Sequence, residues 1–141
     1  MNDEIRTALE KDRTIDIVTT GARSGMPRTT EIWFTRVGGR IIICGTPDAE
    51  GKNGPRARRD WLANLKANPQ FMFCLKESMN AQLLAKAVVI VDPADRRELM
   101  TAPETLWYRE QGDSIEDLIE NSPMVEVFLY TESHGKRDEV P

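Results

Sequence analysis

Between Ile15 and Cys44 three β-rich runs follow one another, with no segment between them long enough to be a helix. The first, Ile15-Asp16-Ile17-Val18-Thr19-Thr20, ends at a polar turn punctuated by Gly21, Gly25 and Pro27. The second runs from Arg28 to Val37 and stops at Gly38-Gly39, a two-residue turn of the kind that supplies positive φ. The third, Arg40-Ile41-Ile42-Ile43-Cys44, is apolar after its first residue, which predicts burial on both faces. Strands joined by short turns pair antiparallel, because a parallel neighbour needs a crossover of about a dozen residues or more. A doubly wound parallel sheet therefore fits poorly. No Gly-x-Gly-x-x-Gly follows a strand, so a dinucleotide-binding unit is not supported either.

The rest of the chain alternates helices with further strands. Asp3 to Lys11 reads as a short amphipathic helix with Ile5 and Leu9 on one side. A helix is expected over 57–67, with Trp61, Leu62 and Leu65 on its apolar face and Asn68-Pro69 as its stop. Phe71 to Leu75 and Gln82 to Val91 read as strands four and five. Asp92 is expected to cap a helix from Pro93 to Thr101. Pro103 to Asn121 reads as two helical pieces broken at Gly112, and Pro123 to Tyr130 as the last strand. The order predicts an α+β chain, mainly β, in which about six mostly antiparallel strands curl into a small barrel. With 141 residues, one core suffices. Residues 1–131 are expected to form a single domain and 132–141 a polar tail.

Composition narrows the function. A net charge of -4 argues against a general nucleic-acid binder. No run is apolar enough for a membrane span, and the N-terminus lacks an apolar signal core, so a cytoplasmic location is expected. Cys44 and Cys74 sit far apart in apolar runs and read as free thiols rather than a disulfide or a metal site. His134, the only histidine, lies in the charged tail, which argues against zinc or a histidine base. The serines have no base to activate them. Glu31 reads as a general base or, more simply, as a solvent-facing carboxylate. A binding protein without a catalytic constellation suits chemistry carried by a cofactor.

Arg23, Ser24 and Arg28 crowd the first turn. Two guanidiniums, a hydroxyl and glycine-exposed N–H groups suit a phosphate. Spacing alone does not separate that reading from solvated loop arginines. Arg56, Arg58 and Arg59 open a helix against its dipole, which an anion would relieve; a solvated positive face fits equally. Trp33, Trp61, Trp107 and Tyr108 could hold a planar ligand, with core packing as the ordinary alternative.

Taken together, residues 20–30 (Thr-Gly-Ala-Arg-Ser-Gly-Met-Pro-Arg-Thr-Thr), Trp33-Phe34, residues 39–46 (Gly-Arg-Ile-Ile-Ile-Cys-Gly-Thr) and residues 61–69 (Trp-Leu-Ala-Asn-Leu-Lys-Ala-Asn-Pro) carry a resemblance. The chain is similar to the deazaflavin-dependent nitroreductase family. These are split β-barrel proteins related to pyridoxamine-phosphate oxidases, and they use coenzyme F-420. The match covers most of residues 15 to 91 and the final strand. It implies that Arg23, Ser24, Gly25 and Arg28 hold the cofactor phosphate, with Trp61 and Asn64 beside them and Arg56 near the tail. It places Cys44, Gly45, Thr46 and Pro47 along the deazaflavin ring. Trp33 falls at an aromatic wall of the substrate pocket, with Trp107 and Tyr108 as further candidates. Thr46 or Tyr108 is the implied proton source, and no metal is implied.

The implied activity is hydride delivery from reduced F-420 to electron-poor planar acceptors: enones, quinones, coumarin- or nitro-type compounds. Two alternatives share the barrel. One is a flavin mononucleotide (FMN) oxidase or flavin reductase, whose site is usually built across a homodimer; the other is a non-catalytic F-420 carrier. Three departures stand out. Ala22 replaces the family's first arginine. Pro47 and the Arg56–Arg59 cluster stand where a Lys-Gly-Gly type loop is usual. No tyrosine-rich segment occurs between Pro103 and Asn121.

Overall fold

The computed structural model of the protein describes residues 2–45, 60–110 and 114–130. Helix α1 (Asp3–Lys11) leads into strands β1 (Thr14–Thr20), β2 (Pro27–Val37) and β3 (Arg40–Cys44). Helix α2 (Asp60–Ala67), strands β4 (Gln70–Leu75) and β5 (Ala81–Val89), and helix α3 (Pro93–Thr101) follow. A 3-10 turn (Pro103–Thr105) passes into the short α4 (Leu106–Arg109), and α5 (Ile115–Asn121) precedes β6 (Met124–Leu129).

The six strands close into a barrel in the order β1-β2-β3-β6-β5-β4. Every neighbouring pair is antiparallel, and β4 returns to β1. Alternation builds the wall: along β1, Ile15, Ile17 and Thr19 are buried and their neighbours half-buried. Ile15, Ile17, Phe34, Ile43, Phe73 and Val125 meet in the barrel cluster, which Ala8 and Leu9 of α1 and Trp61 and Leu65 of α2 complete. The Gly38-Gly39 turn has φ of 56° and 87°, as a tight hairpin requires.

The run of isoleucines in β3 is buried on both faces, as expected. Ile41 and Ile43 belong to the barrel cluster. Ile42 belongs to a second cluster with Leu99, Met100, Tyr108, Leu118 and Met124, where helices cover the outside of β3 and β6. Charge fixes that layer. The Arg40 guanidinium donates to both oxygens of Asp95 at 2.9 Å and to Glu126 at 2.8 Å, tying α3 to the barrel wall. Arg96 donates to the carbonyls of Ile90, Ile119 and Ser122, satisfying oxygens that the end of α5 leaves open.

Three details differ from expectation. Asp92 occupies the N-cap position, but its side chain makes no capping bond; Pro93, with φ preset for a helix, opens α3. Strand β5 ends at Val89, short of the expected Val91: the Ile90 N–H still bonds the Met124 carbonyl, and Val91 beyond it is 76% exposed. The segment after Pro103 starts as a 3-10 turn whose Thr105 hydroxyl, buried, bonds the Leu99 carbonyl at 2.7 Å. Gly112, the expected break, and residues 57–59 of the expected helix lie outside the described residues.

Candidate functional site

The first turn is closed by its own backbone. The Gly21 N–H bonds the Met26 carbonyl at 2.8 Å, and the Gly25 N–H bonds the Gly21 carbonyl at 3.0 Å. Gly25 sits at φ 71°, which a side chain would resist. Ser24 Oγ accepts from the Met26 N–H at 3.0 Å, and a Cβ on Gly21 would stand only 2.5 Å from that Oγ.

Asn64 bolts this turn to α2. Its Oδ1 accepts the Ala22 N–H at 2.8 Å, and its Nδ2 donates to Thr19 Oγ1 at 3.1 Å. Asn64 is 6% and Thr19 2% exposed, so the bond between them is made out of water, where losing it costs most; the Ala22 bond is half-buried. Trp61 and Leu65, packed in the barrel cluster, fix the helix that carries Asn64. Asn64 therefore stands behind the turn and holds its shape.

Arg23 and Arg28 are exposed on this turn. Arg28 lies opposite Thr19 in the β1–β2 register. Neither guanidinium has an ion pair or side-chain hydrogen bond among the described residues, in contrast to Arg40 and Arg97. The turn's N–H groups at Gly21, Ala22, Gly25 and Met26 are already committed, so the donor set that fits a phosphate is the two unpaired guanidiniums.

Cys44 and Gly45 lie at the end of β3, where the Gly45 N–H bonds the Pro123 carbonyl at 2.9 Å. Pro123 and Met124 border a cleft of about 330 Å³ that Leu62, Lys66, Val91 and Arg96 also line. None of the β3 residues is among those that line it. Leu62 and Lys66 each stand two positions from Asn64 along α2, so the cleft and the turn meet different sides of the helix. Burial pushes the Cys44 thiol up to about 12, outweighing the nearby Arg96 charge. Both cysteines are free.

The aromatic residues form a chain of edges. Trp33 and Trp107 are 5.1 Å apart between ring centroids, and Trp107 and Tyr108 are 5.5 Å apart. Trp33 is 42% exposed, whereas Tyr108 is 3% exposed in the second cluster with its hydroxyl 3.2 Å from Ser122 Oγ. Trp33 faces outward from β2 because Phe34, its neighbour, faces the barrel core. Arg13 lies over both indoles, 5.4 Å from the Trp33 centroid and 4.8 Å from that of Trp107. Nothing in the sequence singles out Arg13: it is one polar residue among several between α1 and β1.

The structure thus brings Arg23, Ser24, Gly25, Arg28 and Asn64 together, and separately Trp33, Trp107 and Tyr108. Trp61 is a core residue of α2. Thr46, Pro47 and Arg56 lie outside the described residues.

The closed antiparallel barrel with its covering helices defines a fold class, the split barrel. Solved structures share the fold. An F-420 reductase superposes with a TM-score of 0.59 at 17% identity over 93% of this chain and 97% of its own. A Clostridium acetobutylicum protein related to general stress protein 26 of B. subtilis, of the pyridoxinephosphate oxidase family, gives 0.61 at 14% identity over 97% and 91%. A conserved hypothetical protein from Mycobacterium tuberculosis gives 0.60 at 18% identity over 89% and 79%.

Within that class, the sequence pattern of the F-420H2-dependent quinone reductases matches residues 1–114, and the chain belongs to that family. It is an oxidoreductase, and its cofactor is coenzyme F-420. Among the described residues, no helix is long and apolar enough to cross a membrane.

Proposed function

We propose that this reductase acts on electron-poor planar acceptors, quinones first and enones, coumarin- or nitro-type compounds after them. The observation that carries the reading is the pair of unpaired cations, Arg23 and Arg28, on a turn held by a buried amide. In this reading they grip the F-420 phosphate, with Ser24 and Gly25 completing the turn that presents them. Asn64 and the buried Trp61 act from behind by keeping α2 and the turn in register. Cys44, Gly45, Thr46 and Pro47 border the ring, and Arg56 meets the anionic tail. When bound, reduced F-420 supplies a hydride. The chain's own part is to fix orientation and exclude water, which together account for a large share of such rate enhancements.

Trp33 and Trp107 form the acceptor wall in this reading. Tyr108 braces Trp107 from the packed layer. The proton reaches the reduced acceptor from Thr46 or from water; Tyr108, expected as a further source, is buried with its hydroxyl against Ser122 Oγ. Turnover of reduced F-420 with a menadione-like quinone and a coumarin-like enone tests the reading. Oxidation of the cofactor well above background supports it; binding of F-420 with no turnover on either acceptor indicates a carrier instead.

The same reading includes a second copy of the chain. The outer side of β5 carries Leu84 and Val88, 45% and 43% exposed, beside half-buried Met72, Val18 and Phe128. Lys86 and Gln82 share this side, and its exposed Leu84 and Val88 support a two-fold homodimer in this reading.

A further inference from the structure

We propose that Arg13 sets the specificity of the acceptor site, favouring planar acceptors that carry a negative charge. The inference rests on reading Trp33 and Trp107 as the acceptor wall. Arg13 is the residue that changes what this wall can bind. Its side chain is exposed and its guanidinium lies over both indoles, at 5.4 and 4.8 Å, without an ion pair among the described residues. Its backbone is fixed on both sides: Glu77 accepts its N–H at 2.7 Å, and its carbonyl accepts the Phe34 N–H at 2.9 Å. Glu77 is the carboxylate that faces it, and one oxygen of Glu77 is already committed to the N–H groups of Arg13 and Thr14.

The selectivity follows from what each acceptor displaces. A neutral planar ring that lies on the indoles must push the guanidinium off them, and the cation–π contact is lost. An anionic ring loses the same contact but gains a charge-assisted hydrogen bond to a fork of N–H donors at its edge. Arg13 therefore acts as a counter-charge for the acid-bearing acceptor and as an obstacle to the neutral one.

The test uses the full chain, wild type and with Arg13→Ala, Arg13→Gln or Arg13→Lys. Each is titrated with the hydroxynaphthoquinone anion and with menadione, a neutral naphthoquinone, followed by tryptophan fluorescence. Each is then assayed for turnover of reduced F-420 with both acceptors. The expected result is a preference for the anion in wild type that falls on the order of five- to tenfold in Arg13→Ala and Arg13→Gln, and is partly restored in Arg13→Lys. An equal effect on both quinones, or none on either, overturns the proposal and leaves the reductase reading standing. Wild type that binds F-420 but neither quinone overturns both.

Discussion

Asn64 uses one buried side chain as acceptor for the Ala22 N–H and donor to Thr19 Oγ1. Replacing it with alanine strands the buried Thr19 hydroxyl and releases the Ala22 N–H. Asn64→Ala is expected to cost about 1–3 kcal/mol in urea unfolding and to weaken F-420 binding besides, because the arginine-bearing turn loses its anchor. An unchanged denaturation midpoint would contradict the clamp. Cys44 makes the opposite case, a reactive group kept silent. Its thiol, pushed up to about 12 by burial, holds almost no thiolate near neutral pH. Cys44 is half-buried by surface, so the raised thiol rather than full enclosure keeps it quiet. Iodoacetamide should label Cys44 slowly in the folded protein and fast on unfolding; rapid native labelling mapped to Cys44 apart from the free Cys74 would refute this. The sequence could show Asn64 in a familiar string but not its two partners. Ala22 and Thr19 stand 42 and 45 positions away, and only the packing of α2 on β1 brings them near.

The start of β1 depends on a single carboxylate. Glu77 accepts the N–H groups of both Arg13 and Thr14 at 2.7 Å, and these bonds hold its carboxyl below the usual range. The Arg40 fork does the same for Asp95 on α3. A carboxyl depressed in the folded state stabilises above its unfolded value, and that stability disappears as pH falls through the folded value. Melting temperature should therefore drop on acidification through and below the carboxylate range, and Glu77→Gln should flatten the drop. The same slope in wild type and variant would count against this anchor. The effect is small, since Glu77 is exposed. Elements were legible where local chemistry decides them: the Gly38-Gly39 turn, the isoleucines of β3, and α1, whose N-cap Asn2 accepts the Ile5 N–H at 2.8 Å. Tyr108 was not, because its burial comes from α5 and β6 closing over it rather than from any period in its own segment. Contacts made at long range, such as Glu77 with Arg13, 64 positions apart, leave no local trace.

At the scale of the whole molecule, closure of the barrel removes every free strand edge, so association must use side chains on its outer wall. The proposed homodimer would use the outer side of β5, where Leu84 and Val88 are exposed on either side of Lys86. Leu84→Lys is expected to shift a dimer towards monomer in sedimentation velocity without loss of fold; a wild-type chain that sediments as a monomer at all concentrations would remove this part. The barrel itself was readable, since three consecutive strands with short turns leave few alternatives. The site was readable only in part, because its cations sit on one turn and its aromatic wall comes from two distant segments, β2 and α4.

In the proposed reading, the first turn grips the anionic end of coenzyme F-420. The direct measurement is a titration of oxidised F-420 and of FMN into wild type, Arg23→Ala and Arg28→Ala. Wild type should prefer F-420, and Arg28→Ala should lose about 1.5–3 kcal/mol of that binding, the worth of a hydrogen bond to a charged group. Binding of F-420 that is equal in wild type and both variants would contradict the account.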